Sequence, residues 1–220
     1  MPLLQITNLE KAYASPEGSQ SRIINVPHFE LDEGTQIALR GSSGAGKTTF
    51  LNLIAGILQA DSGHILVADE EMTALSESGR DGLRARHIGY IFQTFNLLAG
   101  YTALENVMLG MMFGKGIDTN FAQHLLERVG LGDRIQYRPS QLSVGQQQRV
   151  AVARAIANRP HLVLADEPTG NLDYHYANEA VTLIREICHE NNAALLIVSH
   201  DSEVLGQFEE AQDFAHVNCV

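Results

Sequence analysis

The most informative residues form a glycine-rich run that ends in a lysine and two threonines. The run fits the pattern G-x-x-x-x-G-K-S/T at every fixed position, follows a predicted strand and opens a predicted helix. Glycines let the backbone curve around a phosphate with its N–H groups inward, and a helix N-terminus adds about half a positive charge. We therefore predict a nucleoside triphosphate site in which Lys47 reaches the β- and γ-phosphates and the Thr48 hydroxyl binds Mg²⁺. The residues expected to bind nucleotide here are Gly41, Ser42, Ser43, Gly44, Ala45, Gly46, Lys47, Thr48 and Thr49.

Two acidic residues stand at the end of an apolar strand. The predicted strand 162–165 is apolar throughout, which is typical of a buried parallel sheet, and Asp166 and Glu167 follow it. Ligands of open α/β sheets lie at the carboxyl ends of the strands. Asp166 is thus placed to hold Mg²⁺ through water, and Glu167 to polarise a water that attacks the γ-phosphate. The alternative for both residues is an acid in a solvated turn.

These groups are positioned by an alternation of predicted strands and helices. A helical region interrupted by glycines is predicted over 102–131, and a second helix over 144–158. The order indicates an α/β fold in one domain, 1–220, with a core at about 1–93 and 159–220 and a helical subdomain at about 94–158. The predicted strands are 3–9, 23–31, 35–40, 64–67, 88–92, 162–165 and 193–198, and the remaining helices are 47–58 and 174–190.

Composition limits the classes of partner. The 220 residues are 45% apolar and 19% charged, and 26 acidic against 15 basic residues give a net charge of −11. Such acidity argues against nucleic acid as the main partner, because a phosphate backbone requires a dense lysine and arginine surface. No window approaches the roughly 18 apolar residues of a membrane span, and the first residues lack the features of a signal peptide. These two observations predict no direct membrane insertion. Since Cys188 and Cys219 show no disulfide or metal-ligand spacing, we expect a cytosolic chain.

The run Leu142-Ser143-Val144-Gly145-Gln146 gives the chain a family resemblance. Together with the glycine-rich loop it resembles the signature of the ATP-binding cassette (ABC) ATPases, usually written LSGGQ. Other marks of that family follow in order and cover nearly the whole chain. Gln93 resembles the Q-loop glutamine, Asp173 in Asn171-Leu172-Asp173 the D-loop aspartate, His200 the switch histidine, and Tyr13 the adenine-stacking aromatic.

The resemblance implies a P-loop NTPase core of ABC ATPase type with an N-terminal antiparallel β subdomain. It also implies an ATPase that uses ATP and Mg²⁺ and closes as a homodimer around two nucleotides. The signature of one copy would reach the γ-phosphate held by the other, and the helix N-terminus at Ser143 suits an anion. The implied roles are catalysis for Glu167, His200 and Gln93, metal binding for Thr48, Gln93 and Asp166, contact across the dimer for Ser143, Gly145 and Gln146, and ordering of the opposite site for Asp173.

Three further segments narrow the resemblance within the family. Residues 95–98, 102–107 and 165–173 are similar to cassettes of the lipoprotein-releasing, macrolide-exporting and cell-division type. This implies a subunit on the cytoplasmic face of the cell (inner) membrane that drives a separate integral membrane permease. An ATP-driven regulator or mechanotransmission subunit that transports nothing is the alternative. The acidic charge disfavours a third class, the soluble ABC ATPases that act on nucleic acid.

Several residues also have simpler interpretations. Gln93 could be an ordinary loop glutamine, His200 a capping histidine and Tyr13 a strand-end tyrosine. The apolar run 108–113 fits the subdomain core and a groove for a membrane partner equally well. We expect the partner to bind residues 95–113, with Met111 in the contact.

Val144 stands where the family signature has a glycine. A valine at positive φ would be an outlier, so a required positive φ would not tolerate this residue. The Ser143 hydroxyl and the Gly145 backbone N–H are both retained. We therefore predict an active ATPase in which Val144 has a negative φ.

Overall fold

The computed structural model describes residues 2–14, 20–172 and 174–220, which form two β-sheets with helices around them. The first sheet is antiparallel, with strand order β2-β1-β4-β5. Buried residues on β1 and β2, including Leu4, Ile6, Ile24 and Val26, give this sheet a face toward the core. The antiparallel β subdomain is thus confirmed. Its strands are β1 (Pro2–Ala14), β2 (Gln20–Asp32), β4 (Ser62–Val67) and β5 (Glu70–Glu71).

The second sheet is parallel and has the order β6-β7-β8-β3-β9. The two strands β7 and β8 are buried along their whole length, which explains their nearly continuous apolar sequence. All of these strands run in the same direction, so their carboxyl ends meet at one edge. The strands are β3 (Gln36–Arg40), β6 (Ile88–Ile91), β7 (Leu162–Asp166), β8 (Ala194–Ser199) and β9 (Glu210–Asp213).

The hydrophobic core lies on both faces of the parallel sheet. Alternate residues of β7 belong to different clusters: Leu162 and Leu164 face the antiparallel sheet and α1, while Val163 and Ala165 face α5 and α6. Helices α3, α4 and α5 contribute to the cluster that contains Val163 and Ala165, and all three fall within 94–158. The division of the chain into a core and a helical subdomain stays a prediction. The helices are α1 (Lys47–Ile54), α2 (Glu77–His87), α3 (Ala103–Met111), α4 (Thr119–Arg128), α5 (Val144–Ile156), α6 (Tyr174–Glu190), α7 (Ser202–Gly206) and α8 (Phe214–Val217).

The structure differs from the sequence prediction at the end of one helix and by one additional strand. Helix α1 ends at Ile54 instead of residue 58, because Gly56 adopts a φ of 65° that a helix does not continue, and Ile57 is exposed. Strand β9 was not predicted, since three of its four residues are polar and the strand is mostly exposed at the sheet edge. No helix in the described residues combines the length and apolarity that crossing a membrane requires.

Candidate functional site

Most of the predicted nucleotide residues line one cleft of about 640 Å³. The loop between β3 and α1 forms its floor, Tyr13 comes from β1, and the other polar groups follow the carboxyl ends of the parallel strands. Gln93 follows β6, Glu167 follows β7 and His200 follows β8. The fold therefore brings together residues that are far apart in the sequence. The lining residues are Tyr13, Ile23, Ser42, Ser43, Gly44, Ala45, Gly46, Lys47, Thr48, Thr49, Gln93, Glu167 and His200.

Gly46 is required by the shape of the loop. It precedes helix α1 with a φ of 93°, a conformation that L side chains rarely adopt. A Cβ at this position would lie 3.0 Å from the carbonyl oxygen of Ile23. The loop therefore packs tightly against the backbone of β2, where a side chain would find little room.

Lys47 carries a buried positive charge at the first position of α1. Its side chain is only 6% exposed, and its ammonium donates to the carbonyl oxygens of Gly41 at 2.6 Å and Ser42 at 3.0 Å. The same Nζ lies 3.4 Å from Glu167 Oε1. These acceptors compensate for the desolvation of the ammonium, and they hold it over the loop where a phosphate would bind.

Asp166 and Thr48 place two oxygen atoms side by side. The Thr48 hydroxyl donates to Asp166 Oδ1 at 3.2 Å, and the carboxylate is buried. Burial raises the pKa of Asp166 above its usual range, the hydrogen bond from Thr48 opposes this change, and the neighbouring Glu167 raises the pKa further. A hydroxyl and a carboxylate are hard oxygen donors of the kind that Mg²⁺ prefers, so this pair can hold that ion.

Glu167 bridges Lys47 and His200. While Oε1 faces the Lys47 ammonium, Oε2 lies 2.9 Å from Nδ1 of His200 and 3.4 Å from its backbone nitrogen. The Glu167 N–H donates to the carbonyl of Val198 at 3.0 Å, which ties the residue to the end of β8. Its φ is 43°, and an unfavourable backbone of this kind concentrates at functional sites. The carboxylate is thus fixed from both sides and faces the cleft.

Gln93 lines the same cleft and belongs to a loop that is held by the residues after Glu167. The Asn171 side-chain amide donates to the Gln93 carbonyl at 2.6 Å. A Cβ on Gly170 would lie 3.1 Å from Gln93 Nε2, so this loop passes close to the glutamine side chain. Asp173, the predicted D-loop residue, lies outside the described residues.

The signature residues lie in a second cleft of about 660 Å³. Ser143 caps helix α5: its hydroxyl accepts from the Gln146 N–H at 3.3 Å, and Gln146 Oε1 accepts from the Ser143 N–H at 3.0 Å. Val144 is the first residue of α5, 48% exposed, and its φ is negative, which confirms that prediction. Of the described residues, none lines both this cleft and the one at Lys47.

Helix α5 carries two polar side chains with structural roles that no sequence motif indicates. Gln148 is buried and donates to the carbonyl of Pro168 at 2.7 Å, one residue after Glu167. Arg154 donates to the carbonyls of Phe95 at 2.5 Å and Asn96 at 2.6 Å, and both of those residues have positive φ. The only available signal was a polar residue on an otherwise apolar helix face. Both side chains link the signature helix to the loops that carry Gln93 and Glu167, which line the cleft at Lys47.

A third cleft, of about 340 Å³, lies between α2, α3 and α5. Leu109, Phe113 and Tyr90 give it an apolar surface, and Arg84 and Arg154 lie among them. The expected contact at Met111 is wrong, because that side chain is buried in the core. The apolar run 108–113 therefore has a buried part and an exposed part, since Phe113 is 81% exposed while Met111 packs inward. A partner contact at the exposed part stays a prediction. We call this cleft the α3 groove.

Comparisons with known proteins agree with this geometry. A family model described as ABC transporter matches residues 24–170. The lipoprotein-releasing system ATP-binding protein LolD of Pseudomonas syringae pv. tomato is 43% identical over 94% of this chain and 92% of that protein. LolD 2 of Rhodospirillum rubrum is 42% identical over 93% and 90%, respectively. Among solved structures, the dimeric ATP-binding cassette MJ0796 in a post-hydrolysis state with ADP and Pi has a TM-score of 0.85 and 32% identity over 94% of this chain and 92% of that one.

Proposed function

Because this chain belongs to the ABC transporter family, we propose that two copies bind two molecules of MgATP between them and hydrolyse both. As a family member the chain is a nucleotide-binding, ATP-hydrolysing transporter subunit that acts with a membrane partner. The observation that carries the proposed hydrolysis is the position of Glu167, whose carboxylate lies between Lys47 and His200 in the cleft of the glycine-rich loop. Phosphoryl transfer depends mainly on positioning and charge stabilisation, and this cluster supplies both.

Each group in the cleft has a distinct part in the proposed reaction. The loop N–H groups and Lys47 bind the β- and γ-phosphates and stabilise the charge that develops on them. Glu167 accepts a hydrogen bond from the attacking water and orients it toward the γ-phosphate. His200 holds Glu167 through the 2.9 Å contact and contributes to the γ-phosphate side of the site, and Gln93 lines the same cleft. Tyr13, which lines the cleft and is partly exposed, provides a face for the adenine.

Mg²⁺ fits the oxygen pair of Thr48 and Asp166. Their contact at 3.2 Å places a hydroxyl and a buried carboxylate together at the edge of the loop, and Gln93 lines the same cleft. The bound ion would neutralise charge on the phosphates. Asp166 would hold this ion through a bound water, and its carboxylate is buried.

The second copy is proposed because one chain separates the two anion-binding features. The N-terminus of the 13-residue helix α5 and the Ser143 hydroxyl form an anion site, but they line a different cleft from Lys47. An isologous pair would place the signature of each copy over the phosphates held by the other. The related cassette MJ0796 is dimeric in its structure with ADP and Pi, which supports this arrangement.

A mixing experiment tests the shared site. A homodimer of either variant, Lys47→Ala or Ser143→Arg, should be inactive. Each of its two sites would then lack either a functional loop or a functional signature. In a mixed pair, one site combines an intact loop from the Ser143→Arg chain with an intact signature from the Lys47→Ala chain. ATP hydrolysis by an equimolar mixture should therefore recover, to at most about a quarter of the wild-type rate. No recovery at any mixing ratio, with mixed pairs present by native mass spectrometry, would contradict a shared site.

We further propose a lipoprotein-releasing type of membrane partner and a place on the cytoplasmic face of the cell membrane. The relatives at 42 and 43% identity are named for lipoprotein release, which supports this class. The α3 groove is the proposed contact with the partner. Arg154 lines this groove and also binds the carbonyls of Phe95 and Asn96, close to Gln93. Movement at the γ-phosphate can therefore reach the groove through a single side chain.

Phe113→Glu should uncouple the subunit from its partner. The Phe113 side chain is exposed, so the change should not disturb folding, but it places a charge in the apolar part of the groove. We expect ATPase activity of the subunit alone within about twofold of wild type and at least about a tenfold loss of partner-stimulated activity, equal to roughly 1.4 kcal/mol. Ile57→Glu, an exposed apolar position outside the groove, is the control. Co-purification and stimulation equal to wild type in Phe113→Glu would exclude this contact.

A further inference from the structure

The segment after β9 touches the glycine-rich loop at both of its ends. The Phe214 ring lies 5.3 Å from the Phe50 ring of α1, and its Cβ lies 3.4 Å from the place where a Cβ on Gly41 would be. Four residues later, Nδ2 of Asn218 lies 3.4 Å from the carbonyl oxygen of Ala45. This segment therefore supports the start of the loop by packing and its end by a hydrogen bond.

Asn218 joins the loop to the outer edge of β2. Its Oδ1 accepts from the Asn25 N–H at 2.7 Å, and its Nδ2 donates to the Ile23 carbonyl at 2.9 Å. The next residue strengthens the attachment, because the Cys219 N–H donates to the Asn25 carbonyl at 2.8 Å. Since β2 is the outermost strand of its sheet, the segment satisfies backbone groups that no other strand pairs with. One amide side chain thus contacts both the strand and the loop.

The same contacts form a wall of the nucleotide cleft. Ile23 lines that cleft, and its carbonyl oxygen lies 3.0 Å from the position of a Cβ on Gly46. The carbonyl of Ala45 and the N–H of Gly46 belong to one planar peptide unit and point in opposite directions. A donor that fixes the Ala45 carbonyl therefore also fixes the direction of the Gly46 N–H. Preorganised N–H groups are what make such a loop an effective phosphate site.

We propose that Asn218 is a positioning residue for nucleotide binding, because it orients the Ala45–Gly46 peptide so that its N–H faces the phosphates. The proposal rests on the proposed assignment of the loop to the phosphates of ATP. Asn218 touches only protein groups and acts through the loop. Asn218 therefore affects the affinity for nucleotide, whereas the rate of the chemical step depends on Glu167.

The test compares two asparagine variants of the full chain. Asn218→Ala removes the contacts to the loop and to the strand, and we expect the KM for ATP and the Kd for a non-hydrolysable ATP analogue to rise about fivefold. The kcat should change by less than about twofold, since the groups around the attacking water stay in place. Asn25→Ala is the matched control. It removes the 2.8 Å side-chain bond to the Cys219 carbonyl but keeps every contact of Asn218, so its KM should equal that of wild type.

Asn218→Asp keeps the proposal testable if the alanine variant does not fold. The aspartate is nearly isosteric and retains the acceptor for the Asn25 N–H, but it lacks the donor and places a negative charge beside two carbonyls. We expect a larger rise in KM than for alanine. Unchanged ATP affinity in both variants would overturn the proposal, and so would an equal loss in Asn25→Ala, which would indicate general loosening of the segment. Lys47→Ala measured in parallel distinguishes failure of the Asn218 proposal from failure of the proposed nucleotide site. If Lys47→Ala binds ATP like wild type, the assignment of the loop to the phosphates is wrong.

Discussion

Glu167→Gln should lower ATP turnover by roughly 100- to 1,000-fold while leaving ATP binding in place. The amide keeps the size of the side chain and can still contact His200, but it cannot accept a proton from the attacking water. It also removes the negative charge that lies 3.4 Å from Lys47 Nζ, which leaves that ammonium free for phosphate. If hydrolysis reopens the proposed pair, the variant should accumulate as a closed dimer with MgATP.

Single-turnover kinetics and size-exclusion chromatography at saturating MgATP measure both effects. Glu77→Gln, which changes an exposed carboxylate at the start of α2, should retain wild-type turnover. A Glu167→Gln protein that hydrolyses ATP at the wild-type rate and elutes as a monomer would contradict the proposed role of the carboxylate.

Lys47→Ala should weaken ATP binding at least about 100-fold, or roughly 2.7 kcal/mol. The ammonium is the cation held over the loop, and burial strengthens its interaction with a phosphate because little water screens it. Its loss also leaves Glu167 with His200 as its partner, so the carboxylate would repel the γ-phosphate.

Isothermal titration calorimetry with ATP gives the affinity directly. Lys115→Ala removes an exposed lysine and should leave the Kd unchanged. An affinity of Lys47→Ala within twofold of wild type would exclude Lys47 as the main phosphate ligand.

The parts of the site that could be predicted are those with a local pattern. The glycine-rich loop, the acids after β7 and the histidine after β8 each follow a strand, and the parallel sheet brings strand ends to one edge. The fold class could be predicted for the same reason, because buried strands and amphipathic helices have distinct periods.

The contacts that could not be predicted join distant residues. Asn218 lies 173 positions from Ala45, and Arg154 lies 59 positions from Phe95, so no local spacing relates them. Strand β9 was missed because an exposed edge strand needs no apolar pattern. Met111 and Phe113 occupy one apolar run, and only helix packing decides that one faces the core and the other faces solvent.

The left-handed backbone of Glu167 lowers the stability of the folded protein at a residue that the proposed ATPase activity requires. At a φ of 43°, a glutamate costs about 1–3 kcal/mol relative to a relaxed conformation, and asparagine or glycine would adopt this backbone more easily. Selection for thermal stability alone would thus favour replacing the side chain that we propose orients the attacking water. The strain is a stability–activity trade-off located at one residue, and consensus-based stabilisation of this protein should therefore leave that position unchanged.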